Sequence, residues 1–572
     1  MNLESKLVKG FDTSLMSTNL TVAIVGAGPA GLVSARWILQ YGLTPTLFES
    51  AATVGGVWRL EPELSPKDTI AFKWPSNRAR LSRYTCEFFG APHDAKTDLF
   101  PSREQMGAYM HRYAEQFGIL PHVRFGRRVI AVEAIDEDIT NTRWRILFKN
   151  ASNEKHCEIF DYLILATGYC AKPYIPKIYR DLLTDLNCTY SGRVFHSPTD
   201  APLERSAYAG KDVVIVGNSF SALELLALIA GNADEEDNAR KVSLIRRRPY
   251  WIIPKLVALD PIMQQDSSNN DSIKTNRFPF DFLFLRRSLR QTDSAMILPE
   301  SDFELTRKYH RFFETLLPEH HKMADGKFAL NPAIHYQRAV CFSLVGDSFT
   351  KNVERIGERL QVFEKDPLVG FEERALQLES GATVPCDLLV LWTGFECALQ
   401  SILPARVLEA LEFRGGKSHQ PMSLYKCTFQ PRLRTLAFVG VNESFLFLHM
   451  ELQARWVAAV FSGCRPHPEV FDANVERYLE ELRSSRYVPY DHRSPLPHGD
   501  FIGFADELAE EVGAIPDLMR TRDEDPELFS ILWNAPVFGA HYFLQGPDAD
   551  REAAISQIKE FQKEFPTFPI NY

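Results

Sequence analysis

The chain has 572 residues, 45% hydrophobic and 24% charged, long enough for two to four domains around a large packed core. Its 64 Lys and Arg stand against 74 Asp and Glu, and the net charge of -10 argues against nucleic acid or an anionic membrane as the main partner. Nine cysteines, an odd number without a CxxC pair, read as thiols of a reducing compartment rather than a disulfide frame or a zinc site.

In chain order, residues 1–20 carry no apolar run of signal-peptide length and read as an N-terminal tail. No stretch of about twenty uncharged apolar residues occurs, so a cytoplasmic protein without a transmembrane anchor is expected. From Thr21 an apolar strand, a glycine loop and the helix "GLVSARWILQYG" lead to the strand "TPTLFES" and the glycine pair of "VGGVWR". That order is the βαβ opening of a doubly wound α/β domain. "DYLILATGY" (161–169) reads as a buried parallel strand, and the pattern returns at "VVIVG" (213–217), "KVSLIRRRP" (241–249), "CDLLVLWTG" (386–394) and "LRTLAFVG" (433–440). Residues 250 to about 335 break the rhythm with proline, aromatic and polar clusters, and read as an insertion that is helical around "ESDFELTRKYHRFFETLL". The charged, helix-prone run 467–572 reads as a C-terminal extension. The expected architecture is therefore two doubly wound Rossmann-type dinucleotide-binding domains. The first is discontinuous, over 21–209 and 386–466; the second covers 210–385 and holds the insertion.

The first loop, Gly26, Ala27, Gly28, Pro29, Ala30 and Gly31, meets the G-x-G-x-x-G pattern after a strand and at the opening of a helix. Its glycines permit the tight turn, the approach of a pyrophosphate to the backbone, and close helix–strand packing. Phosphate then sits at the positive end of the helix dipole. Glu49 ends the next strand, where an acid accepts hydrogen bonds from a ribose diol. The second loop, Gly217, Asn218, Ser219, Phe220, Ser221 and Ala222, is weaker, and alone it also reads as an ordinary strand–helix turn. Its next strand ends not in an acid but in Arg246, Arg247 and Arg248. Arginine there accommodates a 2′-phosphate, which points to NADPH, while a solvated basic turn stays open for at least one of the three. Two loops mean two dinucleotides, most simply FAD fed by NADPH.

Further motifs share the chain: "GGVWR" after the first loop, "ATGYCAKPYIP", "YSGRVFHS" and "ELQARW". In this order, from about Thr21 to Gly463, the sequence resembles the flavin-containing monooxygenases. These are class B flavoproteins related to the Baeyer–Villiger monooxygenases, and the resemblance is greatest to their fungal-type branch. The resemblance implies that Gly55, Gly56, Val57, Trp58, Arg59, Val129, Ala166, Thr167, Gly168 and Gln453 line the FAD site. It also implies an inter-domain hinge after "ATG", and a fingerprint at Tyr190, Gly192 and His196. The implied activity passes hydride from NADPH to FAD, forms a C4a-(hydro)peroxyflavin with O2, and inserts one oxygen atom into a small organic substrate. Nitrogen, sulfur and Baeyer–Villiger oxidation all stay open, and specialised metabolism is the expected setting.

Two positions depart from the family pattern. Asp200 follows the fingerprint where an aromatic residue is expected, and Ala79 and Arg80 stand where the family has Thr-Asn, with Asn77 one helical turn earlier. Arg80 and Asn77 are the catalytic candidates. An always-charged guanidinium favours a deprotonated, nucleophilic peroxide; alternatively, Arg80 pairs with a nearby acid or phosphate. An uncoupled NADPH oxidase, or a flavin-binding protein without productive oxygenation, is the alternative function. A flavin disulfide reductase lacks its cysteine pair.

Overall fold

The runs Val22–Val25 and Val213–Val216 show no polar alternation, so each requires cover on both faces. In the computed structural model both are centre strands of five-stranded parallel sheets. Described here are residues 20–59, 78–168, 172–185, 188–196, 205–230, 236, 238–258, 277–289, 303–323, 325–329, 342–346, 349–415, 421–441, 446–485, 500–566 and 568.

Ten strands build the two sheets. They are β1 (Thr21–Val25), β2 (Thr44–Phe48), β3 (Val123–Arg124), β4 (Tyr162–Leu165), β5 (Arg193–His196), β6 (Asp212–Val216), β7 (Lys241–Arg246), β8 (Leu360–Glu364), β9 (Leu388–Leu391) and β10 (Leu436–Phe438). The first sheet runs β10-β4-β1-β2-β3 and the second β8-β7-β6-β9-β5. Helix α1 (Pro29–Gln40) follows β1, α2 (Phe220–Ala230) follows β6, and α3 (Phe447–Phe461) follows β10. The two sheets are thus the same design built twice, as the paired glycine loops predict.

The domain boundaries differ from the expectation. Strand β5 pairs with β9, and β9 with β6, so both belong to the second sheet. The first domain therefore gives up β5 and β9, which had been expected within 21–209 and 386–466. Sheet membership follows backbone hydrogen bonds between strands far apart in sequence, which local pattern does not reveal. The chain crosses between domains at Lys172–Pro173 and returns at Phe395–Glu396, and these two crossings pair as an antiparallel ribbon.

The insertion forms the expected helix, Phe303–Leu316, and its strand Trp251–Pro254 pairs with Phe342–Val345. The extension is helical, with helices at Ala473–Ser485, Phe501–Val512, Leu518–Glu524, Pro526–Asn534 and Arg551–Glu564. Neither is a separate lobe. Phe282 and Phe313 of the insertion, Phe504 and Phe561 of the extension, and Trp37 and Phe88 of the first domain lie in one continuous core. Asp548 of the extension pairs with Arg455 of α3 at 3.4 Å, with both side chains essentially out of water. Arg455 also lies 4.3 Å from the ring centroid of Phe543 and 5.2 Å from that of Trp37.

Among the described residues no helix is long and apolar enough to cross a membrane, and no His, Cys, Asp and Glu group is placed to hold a metal ion. The seven described cysteines are all free thiols.

Candidate active site

The first glycine loop is shaped by collisions that side chains would cause. Gly26 has φ +106°, and a Cβ there would stand 2.6 Å from the carbonyl oxygen of Ala166, just past the end of β4. A Cβ on Gly31 would meet the Gly26 carbonyl oxygen at 2.0 Å, so α1 seats directly on the loop. Gly28 faces Gly56, and the Gly55 N–H donates to the Ala27 carbonyl at 2.9 Å. The loop and the "GGVW" turn therefore lie back to back, with Gly56 against Gly28 and Pro29 and with Val57, Trp58 and Arg59 following directly in the chain. Thr167 and the left-handed Gly168 close the same edge of the sheet.

Helix α1 starts at Gly28 without a side-chain cap, so its N-terminal amides face outward as an anion cradle. An FAD pyrophosphate fits this cradle by charge and by the missing side chains. Glu49 is buried next to it and accepts from the Ala27 and Ala51 N–H groups, each at 2.8 Å. Gly126 and Arg127 bond to the backbone of Ala51 and Glu49, which brings Val129 of the adjoining antiparallel sheet close by.

Gln453 lies deeper than expected. Its oxygen accepts from the Gly440 N–H at 3.1 Å, and its amide donates to the Cys427 carbonyl and the Thr428 hydroxyl. It thus fixes the Gly440 turn, where a Cβ would come 2.7 Å from that of Ala30. Gln453 supports the cradle from below.

The second loop repeats the first at its opening glycine. Gly217 has φ +129°, a Cβ there would stand 2.2 Å from the Trp392 carbonyl oxygen just past β9, and its N–H donates to Ile245 at 3.0 Å. The matching Gly26 bond goes to Phe48 at 2.9 Å. Asn218 donates to the Arg248 carbonyl at 3.3 Å, Ala222 is buried, and Ser219, Phe220 and Ser221 open α2. The three arginines separate. Arg246 is buried, pairs with Glu364 at 2.8 Å, and has its guanidinium 5.7 Å from the Phe328 ring centroid. The β7–β8 register places Arg246 opposite Glu364. Arg247 is the exposed one, at the strand end and close enough to Tyr179 to act on its hydroxyl.

Arg80 does not stand as a free cation. Its two terminal nitrogens donate to the two carboxylate oxygens of Glu224 on α2, and its guanidinium lies 5.6 Å from the Phe220 ring centroid. Burial pulls the guanidinium down to about 10, still charged at neutral pH. Of the two expectations for Arg80, the geometry is that of an ion pair, so its charge is met by a carboxylate. Ala79 is buried, with its N–H donating to the Pro101 carbonyl. Asn77 and Asp200 lie outside the described residues.

Around Arg80 the 78–90 segment is anchored on every side. One oxygen of Asp281 accepts from the Ser82 N–H and from the hydroxyls of Ser82 and Thr85. Glu564 holds Arg83 and Tyr84. Glu451 of "ELQARW" accepts from the Phe89 N–H and pairs with Arg36 at 3.3 Å; burial pushes its carboxyl up while Arg36 pulls it back. The fingerprint histidine lies at the hinge, where His196 and the Thr393 hydroxyl both reach the Tyr174 carbonyl. Glu224, Asp281 and Trp392 were not singled out from sequence. Glu224 alone carried a signal: an acid amid Leu223, Leu225 and Leu226 needs a partner.

The model of the flavin-binding monooxygenase-like family matches residues 19–569, nearly the whole chain. The chain belongs to this family. A guinea pig (Cavia porcellus) flavin-containing monooxygenase 5 is 26% identical over 96% of this chain and 94% of its own length. The dimethylaniline monooxygenase [N-oxide-forming] 2 of the same animal is 22% identical over 96% and 93%. Among solved structures, S-allyl-L-cysteine S-oxygenase from Allium sativum superposes with a TM-score of 0.55 at 20% identity, covering 95% of this chain and 99% of its own. Open cyclohexanone monooxygenase gives 0.57 at 13%, covering 86% and 97%. OTEMO, solved with FAD and NADP, gives 0.54 at 17%, covering 81% and 89%. The flavin-binding monooxygenase thus shares its two-domain fold with enzymes that hold the cofactor pair read from its two loops, FAD and NADP(H).

Proposed function

We propose that this flavin-binding monooxygenase draws electrons from NADPH at the Gly217 loop, holds FAD at the Gly26 loop, and inserts one atom of O2 into a small organic substrate. The observation that carries the proposal is the duplicated loop, with Gly26 and Gly217 each seated against the carbonyl of the residue just past a neighbouring strand. FAD, when bound, supplies the two-electron carrier that accepts hydride and reacts with O2. The chain's own residues bind and orient. Uncapped helix amides receive the pyrophosphate, Glu49 faces the ribose, and Arg247 meets a 2′-phosphate. The phosphorylated coenzyme is chosen because the strand after the second loop ends in arginine rather than an acid.

The test is anaerobic mixing of the yellow protein with NADPH and with NADH, then aerobic turnover with amines, sulfides and ketones. These classes correspond to the N-oxide-forming, S-oxygenating and cyclohexanone-oxidising relatives. Bleaching by NADPH and one oxygenated product class are expected. A colourless protein, or no bleaching by NADPH, overturns the proposal.

A second reading is NADPH oxidation that releases peroxide. It is favoured by Ala79, buried against Pro101, and Arg80, bound to Glu224, at the positions where the family carries Thr-Asn. Peroxide stoichiometric with NADPH, and unmoved by any substrate, would select it.

A further inference from the structure

We propose that Arg80 is a positioning residue: through Glu224 it sets the second nucleotide unit against the first, and so governs hydride delivery. This rests on reading the Gly217 loop as the NADPH site. Four observations support it. The segment carrying Arg80 is bound to the rest of the protein by Asp281, Glu564 and Glu451, so the guanidinium projects from a fixed base. It grips the N-terminal end of α2, where Phe220 and Glu224, four residues apart, share one helix face. Glu224 is backed by Gly346, where a Cβ would come 3.2 Å from its Oε1. The two side chains are 15% and 22% exposed, so each charge depends on the other for most of its solvation.

The geometry carries a thermodynamic signature. Removing one partner strands the other charge in a poorly hydrated cleft, whereas removing both relieves it. The two single changes must therefore be non-additive. Because the pair lies on the helix that opens at the second loop, its loss also frees that loop to shift relative to the flavin side.

The experiment uses the full FAD-loaded chain as R80Q, E224Q, the double variant, and the swap R80E/E224R. Hydrogen exchange over residues 220–230 is read without NADPH, and the limiting rate of anaerobic flavin bleaching is read at saturating NADPH. Each single variant is expected to speed exchange and to slow bleaching about tenfold, the change that about 1.4 kcal/mol produces. The double variant should cost no more than the worse single, and the swap should recover most of both. Single effects that add in the double, or a swap that restores neither, overturn the proposal, as do singles that change neither readout. If R80Q fails to fold, E224Q and the swap carry the comparison. Should the wild type not be reduced by NADPH at all, the NADPH reading fails, while the exchange data still decide whether the tie exists.

Discussion

Replacing Gly217 with alanine tests the duplicated loop directly. The added Cβ would lie 2.2 Å from the Trp392 carbonyl oxygen, and the backbone at φ +129° is one that L residues rarely adopt. Both obstacles are main chain, so no side chain can swing away. Forcing a non-glycine residue into such a conformation costs about 1–3 kcal/mol, and overpacking a tight contact costs about 1–3 kcal/mol more. If about 3 kcal/mol of this reaches coenzyme binding, NADPH is held roughly a hundredfold more weakly. The assay is anaerobic titration of the yellow protein with NADPH, beside its thermal melt. Flavin content should not change, because Gly26 and its sheet are untouched. The control is Ala222→Gly, which removes one buried methyl and costs about 1 kcal/mol. A G217A protein with wild-type NADPH affinity and melting temperature would refute the tight seating of the loop on β9.

Three further outcomes are expected. Arg247→Ala should raise the KM for NADPH about tenfold or more and leave NADH use unchanged, since a charged hydrogen bond contributes about 1.5–3 kcal/mol; Arg246→Ala should instead lower the melting temperature through the loss of its pairing with Glu364. Asp548→Ala leaves Arg455 charged and buried, a loss of about 3–5 kcal/mol, seen as a lower melting temperature for the whole flavoprotein rather than release of the extension alone. Glu87 is buried and its carboxyl is raised from 4.5 to about 8 by that burial. The unfolded chain thus gives up this proton first, and folding stability falls as pH rises from 4.5 towards 8. Glu87→Gln should therefore melt higher than wild type at pH 8 with the difference vanishing near pH 4.5, as followed by thermal melts across that range.

What could be read from sequence was local. A glycine that must pass under a neighbouring carbonyl sits in a strand–loop–helix pattern a few residues long, so Gly26, Gly31 and Gly217 were visible without any fold. The helix at 303–316 and the helical extension were visible through composition and period. What was hidden depends on residues brought together across the chain. Arg80 and Glu224 are 144 residues apart, and nothing near either names the other. Arg246 reads as a coenzyme arginine until the β7–β8 register sets it opposite Glu364. The domain limits were misplaced because β5 precedes its sheet in sequence and joins it only through β9. Gln453 looked like a ligand residue, yet its amide is spent on Gly440, Cys427 and Thr428.

The chain leaves the first sheet for the second and comes back through neighbouring doors. Lys172–Pro173 and Phe395–Glu396 lie side by side as paired backbone, and Lys172 and Glu396 also join through their charges. Two ends that meet in this way let the intervening chain vary in length without stretching its host. The covalent joint is therefore not what fixes the second sheet's part of the chain in place: its grip is the seam of side chains, with Phe282 and Phe313 in the shared core and Asp281 on Ser82 and Thr85, and any exchange of that part would have to rebuild the seam.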